Sequence, residues 1–247
     1  HLYYIIVPEQ FTMQTQKNVV EMHPGKGILN IDVLSFQRLA YRIFEETGGA
    51  REVLLDDTGK SMVLQKLVQQ HRKNLPYLGS QMNKPGYLDE VKSLISEFMQ
   101  YDIREEELQD MLGKTGEDSL LHMKMQDVGV LYQAFLQYLE GHYMTGEGVM
   151  DALKKAIPFS DKLKKSVLLL DGFTGFTPVQ MNVIRELLNV CDKVLVTVTM
   201  DAGENPLQMG KPHQLFYMSR KMIHTLSGLT SNLDDPCLLY TSPSPRD

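Results

Sequence analysis

Four apolar residues run without polar alternation into a carboxylate at Val167–Asp171, VLLLD. A strand with one wet face alternates, whereas a continuous apolar run belongs to a strand covered on both faces, the pattern of a parallel sheet. Ligands of open α/β sheets bind beyond the carboxyl ends of the strands. Asp171 stands at such an end, where P-loop NTPases carry an Asp that supports Mg²⁺. The run alone leaves a plainer reading open, in which Asp171 merely begins a turn with Gly172.

The rest of the chain supplies more strands of the same kind. Leu2–Val7 is short, apolar and rich in aromatic and β-branched residues, and Pro8 closes it; it reads as a buried strand followed by a loop. Gln14–Met22 suits a helix, His23-Pro24-Gly25 breaks it, and Ile31–Phe36 reads as a second strand. Gln37–Glu46 follows as a helix with Leu39, Ala40, Ile43 and Phe44 on one stripe, ended by Gly48-Gly49. Asp56-Asp57 caps a helix running to about Arg72, and Pro76–Gly86 reads as a loop. Helical spacing then links Leu88, Val91, Ile95, Phe98 and Met99, and later Leu121 to Leu139, with a short solvated helix at Arg104–Asp110 between them. Gly148–Ile157 is a further helix. Strands resume at Val167–Leu170 and Val194–Thr199, around a helix at Pro178–Asn189.

This order predicts an α/β fold in which a parallel sheet is interrupted by an all-helical insertion subdomain. The sheet is expected from residues 1–56 and 159–233, and the insertion, free of strands, from 57–158. The stretch Pro236–Asp247, PCLLYTSPSPRD, has no periodicity and resembles a translated sequencing adapter, so 234–247 is set aside as a non-native or disordered tail.

Charge and composition exclude several classes. A net charge of −6 excludes a small basic DNA-binding module, while leaving room for a local patch. Cys191 and Cys237 form no CxxC pair, so neither zinc site nor disulfide framework is expected, in keeping with a reducing cytoplasm. No apolar run approaches the roughly 18 residues of a bilayer span, so no membrane association is expected. The histidines are scattered, so no metal site is expected, and Ser35 and Ser166 lack the G-x-S-x-G context of a hydrolase nucleophile. Arg38 and Arg42 share a helix face and suit either phosphates or a solvated surface. Thr58-Gly59-Lys60-Ser61 contains GKS, but a phosphate-binding loop needs Gly where Leu54 stands; the segment reads instead as a helix start capped by Asp57.

DGFTGFTPVQ resembles the second motif of UvrD/RecB-type helicases, which opens on Asp-Glu and closes on a Gln nine positions after the Asp. Asp171 matches the Asp and Gln180 the Gln, while Gly172 replaces the Glu that orients the attacking water in active members. VLVTVTMD at Val194–Asp201 resembles the third motif's strand, with Asp201 in place of its Asp. Together with VPEQFT, ILNIDVLSFQRLAYRIFEE and LLDDTGKS, in order over about residues 3–200, these strings resemble the AddB family of helicase–nuclease subunits.

The resemblance implies a RecA-like core (P-loop NTPase, UvrD-type) with a helical insertion, its P-loop strand lying upstream of Leu2. It implies a vestigial Mg²⁺ and nucleotide site at Asp171 and Gln180, with no catalytic residue in the chain. It implies single-stranded DNA contacts at Gln10, Thr12, Ser35 and Phe36. For the full-length protein it implies ATP with Mg²⁺, a 4Fe–4S cluster outside this region, an AddA-type partner and DNA as ligand. The expected role is guidance of DNA in double-strand break repair by homologous recombination, with no hydrolysis by this chain alone. Two alternatives stay open: an active UvrD/RecB-type motor, and a helical interaction module built on 57–158. The module predicts that residues 2–36 and 167–199 do not share one sheet.

Overall fold

A computed structural model describes residues 1–49, 52–81, 84, 86–116, 119–201 and 203–230. The tail at 234–247 lies outside the described residues. The chain divides into two compact units, one formed by residues 1–48 with those from 153 on, the other by 49–152.

The first unit is built on a four-stranded sheet. Its strands are β1 (Leu2–Ile6), β2 (Ile31–Leu34), β5 (Ser166–Leu170) and β6 (Lys193–Val196), in the order β2-β1-β5-β6. All pairings are parallel, with Ile6 beside both Leu34 and Leu170, and Leu170 beside Val196. Parallel neighbours need crossover connections, here supplied by helices α1 (Thr12–Met22) and α9 (Pro178–Val190). Residues 2–36 and 167–199 thus share one sheet, against the expectation of a bare interaction module.

The continuous apolar runs are closed less evenly than their composition predicts. Ser166, Leu168 and Leu170 of β5 are fully buried, as are Tyr4 and Ile6 of β1, whereas Val167, Leu169 and Ile5 are half-buried. Alternate side chains point to opposite faces of a strand, so one face of the sheet is sealed and the other partly open. Each of the fully buried aliphatic side chains contributes about 1.5–3 kcal/mol.

The helix α2 (Phe36–Thr47) follows β2 and buries the stripe Phe36, Leu39, Ala40, Ile43 and Phe44. The Ser35 hydroxyl accepts from the Arg38 amide at its start. Gly48, at φ +69°, ends it in the left-handed conformation that glycine adopts without strain. A further helix, α10 (Tyr217–Thr230), lies where no helix was expected and buries Met222 and Ile223.

The second unit is helical, with one exception to the strand-free expectation. Helices α3 (Asp57–His71), α5 (Tyr87–Gln100), α6 (Glu105–Gly113) and α7 (Leu120–Leu139) enclose a core that includes Leu64, Leu67, Ile95, Leu131 and Phe135. A one-turn helix, α4 (Leu78–Gln81), forms inside the expected loop because the buried Asp127 carboxylate accepts from the Tyr77 and Leu78 amides, at 2.9 and 2.7 Å. The exception is β4 (Tyr143–Met144), inside the 57–158 expected to be free of strands, which pairs in parallel with β3 (Val53–Leu54), just before that range. Two residues carry no periodicity that a sequence could display. Within helix α8 (Gly146–Ala156) the chain passes from the second unit back into the first.

Candidate functional site

The parallel register brings the carboxyl ends of β1, β2, β5 and β6 to a common edge. The backbone hydrogen bonds continue one residue past the strands, from Val7 to Leu34, Asp171 to Ile6, and Thr197 to Leu170, each at 2.9 Å. Asp171 is therefore held at the end of the sheet between the residues that follow β1 and β6. The Thr197 hydroxyl donates to Asp171 Oδ1. No local signal announces this partner, since Thr197 is one of two threonines in VLVTVT and nothing nearby distinguishes it.

Gly172 follows at φ +75°, in the left-handed region. A Cβ built there meets only Pro8 Cδ, at an ordinary 3.7 Å. Space for a side chain exists, but the backbone conformation disfavours one. The glycine at the place of the motif's Glu is thus also a requirement of the local turn.

Gln180 is engaged in a capping box at the start of α9. Its Oε1 accepts from the Thr177 amide at 3.0 Å, and the Thr177 hydroxyl accepts from the Gln180 amide at 3.4 Å. Thr177-Pro178-Val179-Gln180 is the T-x-x-Q signature of that device. With its carbonyl oxygen committed, Gln180 retains the side-chain NH₂ for any ligand.

The four residues named for DNA contact divide sharply. Gln10 is exposed, on a short 3₁₀ turn at Glu9–Phe11. Thr12 is 3% exposed and its hydroxyl donates to the Glu9 carbonyl at 2.9 Å. Ser35 and Phe36 are each 5% exposed, Ser35 capping α2 and Phe36 packing on other rings. Burial turns these three side chains inward, where they fix the loops and do not reach outward.

Phe36 belongs to an aromatic trio. Its ring centroid lies 5.7 Å from that of Phe173 and 6.4 Å from that of Phe176, and the latter two are 4.9 Å apart. Phe173 and Phe176 are not fully buried. The trio joins the segment after β2 to that after β5. The Arg38 guanidinium pairs with Glu9 at 3.1 Å and that of Arg42 with Asp32 at 2.8 Å, so neither arginine is a free cation on this face.

Asp201 lies beyond β6 and bonds locally, accepting from the Gly203 amide at 2.8 Å. The segment after it is tied back by Arg220 of α10, whose buried guanidinium meets Glu204 at 3.0 Å and Gln214 at 3.2 Å. Among the described residues, no group of three or more His, Cys, Asp or Glu side chains is placed to hold a metal ion. Mg²⁺ in nucleotide sites is held largely by phosphates and water, with one or two protein carboxylates, and Asp171 fits that single role. No helix of the described residues is long and apolar enough to cross a membrane.

The lysine of the GKS string is placed differently. The cap of α3 is Asp56, which accepts from the Gly59 amide at 2.7 Å, and not Asp57. Lys60 is 7% exposed and donates to both Glu147 oxygens at 3.1 Å and to Ser96 Oγ at 3.2 Å. Burial raises the Glu147 carboxyl, but its own backbone amide and the Lys60 ammonium outweigh that and leave it below its ordinary value.

The family described as ADDB, N-terminal matches residues 1–236. An ATP-dependent helicase/deoxyribonuclease subunit of the B type, from Lachnoclostridium phytofermentans, is 46% identical over 225 residues, which are 91% of this chain and 20% of that protein. The protein of the same description from Alkaliphilus metalliredigens is 33% identical over 218 residues, 88% of this chain and 19% of that one. The chain spans about a fifth of the length of these curated relatives.

Proposed function

This chain belongs to the ADDB N-terminal family, and from that premise we propose that it is the helicase-like N-terminal region of an AddB-type subunit in an ATP-dependent helicase–nuclease. In this reading the sheet unit is RecA-like and its site is degenerate, binding or guiding without hydrolysing. The complex acts on DNA in double-strand break repair by homologous recombination, in the cytoplasm, with an AddA-type subunit as partner.

One observation carries the proposal. Asp171 is held at the carboxyl end of an inner strand of a parallel sheet, and the next residue is a glycine at φ +75°. A motor site needs a second carboxylate there to orient water for in-line attack, and this position has neither the side chain nor a backbone that favours one. Asp171, fixed by Thr197, remains suited to a Mg²⁺–nucleotide that supplies charge and order without turnover. Of the proposed DNA contacts, Gln10 offers an exposed amide, while Thr12, Ser35 and Phe36 shape the loops that present it. Phe173 and Phe176, which are partly exposed, suit base stacking, which tolerates sequence.

The test is hydrolysis by the full-length subunit in the absence of its partner. The expected result is no DNA-stimulated ATPase above background, with Mg²⁺–nucleotide binding weakened by Asp171→Asn. Motor-like turnover by the isolated subunit would overturn the degenerate-site reading and favour an active helicase.

A further inference from the structure

A groove of about 520 Å³ opens in the helical unit, between the first turn of α3, one face of α5 and the start of α8. Its inner wall is the buried Lys60–Glu147 pair with Ser96. Buried ion pairs seldom improve stability over apolar packing, so one that lines an open groove invites another explanation.

The charges along the groove are unevenly satisfied. Lys60 uses its donors on Glu147 and Ser96. Lys92 lies 3.2 Å from Asp89 and 4.0 Å from Asp57. Both ammonium groups are therefore committed, and an anionic ligand such as a phosphate would find no free cation. Glu97, by contrast, has no cation within ion-pair distance among the described residues.

The open side of the groove is a row of acceptors. Ser93, Glu97, Gln100 and Tyr101 fall at i, i+4, i+7 and i+8 along α5 and its cap, a single helix face. None of their side chains has a hydrogen-bond partner among the described residues, and Tyr101 is 54% exposed. A carboxylate, an amide oxygen, a hydroxyl and an aromatic face together describe a guanidinium site. A guanidinium forks onto carboxylates, donates to neighbouring oxygens in its plane and stacks on rings. The volume exceeds one side chain and suits a short segment of polypeptide.

We propose that this groove docks an arginine-bearing segment of the partner subunit, with Glu97 as its ion-pair acceptor and Tyr101 as its stacking face. This rests on the reading above that the chain works within a two-subunit helicase–nuclease; the commitment to a protein over nucleic acid rests on the unpaired Glu97 carboxylate and on both lysines of the groove being committed to carboxylates.

The experiment uses the full-length subunit and its partner. Wild-type association is measured first, because its failure alone would reject the two-subunit reading and this proposal with it. Given association, Glu97→Arg is expected to weaken it about tenfold, as for loss of a desolvated charge pair, with the melting temperature unchanged. A photo-crosslinking residue at position 100 is expected to capture a partner peptide containing arginine. Unchanged affinity in Glu97→Arg, or crosslinks to DNA or to the subunit's own chain, would overturn the groove assignment and leave the two-subunit reading intact.

Discussion

The Thr197 hydroxyl donates to the Asp171 carboxylate across the parallel pair β5–β6. Two loops that follow separate strands are thereby joined at Asp171. Removing the hydroxyl with Thr197→Val should cost about 1 kcal/mol of stability, the usual net worth of one hydrogen bond. If Asp171 supports Mg²⁺, the variant should also weaken Mg²⁺–nucleotide binding several-fold in the full-length subunit. Thermal melting reads the first outcome and calorimetric titration the second, and nucleotide affinity equal to wild type would show that the Thr197 hydroxyl is not needed to hold Asp171 for a ligand.

Gly172 is constrained by its backbone and not by its surroundings. Gly172→Ala should destabilise by about 1 kcal/mol through the left-handed conformation alone. Gly172→Glu should do the same without creating DNA-stimulated hydrolysis, since a carboxylate on a turn rebuilt to relieve strain is not aimed at the attacking water. Appearance of such hydrolysis in Gly172→Glu would mean that the site is one residue from active.

The Thr177–Gln180 box should be measurable as a helix cap. Thr177→Ala is expected to cost about 1 kcal/mol, and Gln180→Ala less. Hydrogen exchange at the first amides of α9 should rise in both, before the strand amides of β5 respond. Equal protection in the variants would free Gln180 for the ligand role its motif position suggests.

The Lys60–Glu147 pair should dominate the acid response of the helical unit. Glu147 is held below its ordinary carboxyl value, so the stability it contributes is present above the unfolded pKa near 4.5 and is lost as pH falls through the lower folded value. Glu147→Gln should flatten that loss in an acid titration followed by circular dichroism. Lys60→Met alone, which strands a buried carboxylate, should cost about 3–5 kcal/mol, and Lys60→Met with Glu147→Leu should recover most of it.

The sheet was legible because β1 and β5 are apolar runs closed by Pro8 and Asp171, and β2 and β6 are short β-branched and leucine-rich segments next to helices, a pattern set by local composition. Helices α2, α3 and α9 were legible from apolar spacing and breakers, but their caps were not: Ser35 and Thr177 were not expected as caps, and Asp56 caps α3 where Asp57 was expected. Thr197 was not, because its role depends on which strand lies beside β5, and that is a property of topology. Nor was the β3–β4 pair, where two residues at each end leave no period to detect. That Thr12, Ser35 and Phe36 are buried was not legible either, because packing and not motif position decides which side chains turn outward. Lys60 failed as a phosphate ligand by spacing, and its burial against Glu147 could not be read across the intervening residues.

The register that places Leu2 beside Ser166 has a consequence for biosynthesis. At about 5–20 residues per second, synthesis separates the two strands by on the order of ten seconds. Throughout that interval β1 offers an unpaired edge beside an apolar face, while the intervening helices can already fold from near neighbours. Chaperone demand should therefore peak before residue 166 leaves the ribosome and fall once β5 pairs with β1 and β6 then adds to the far side of β5.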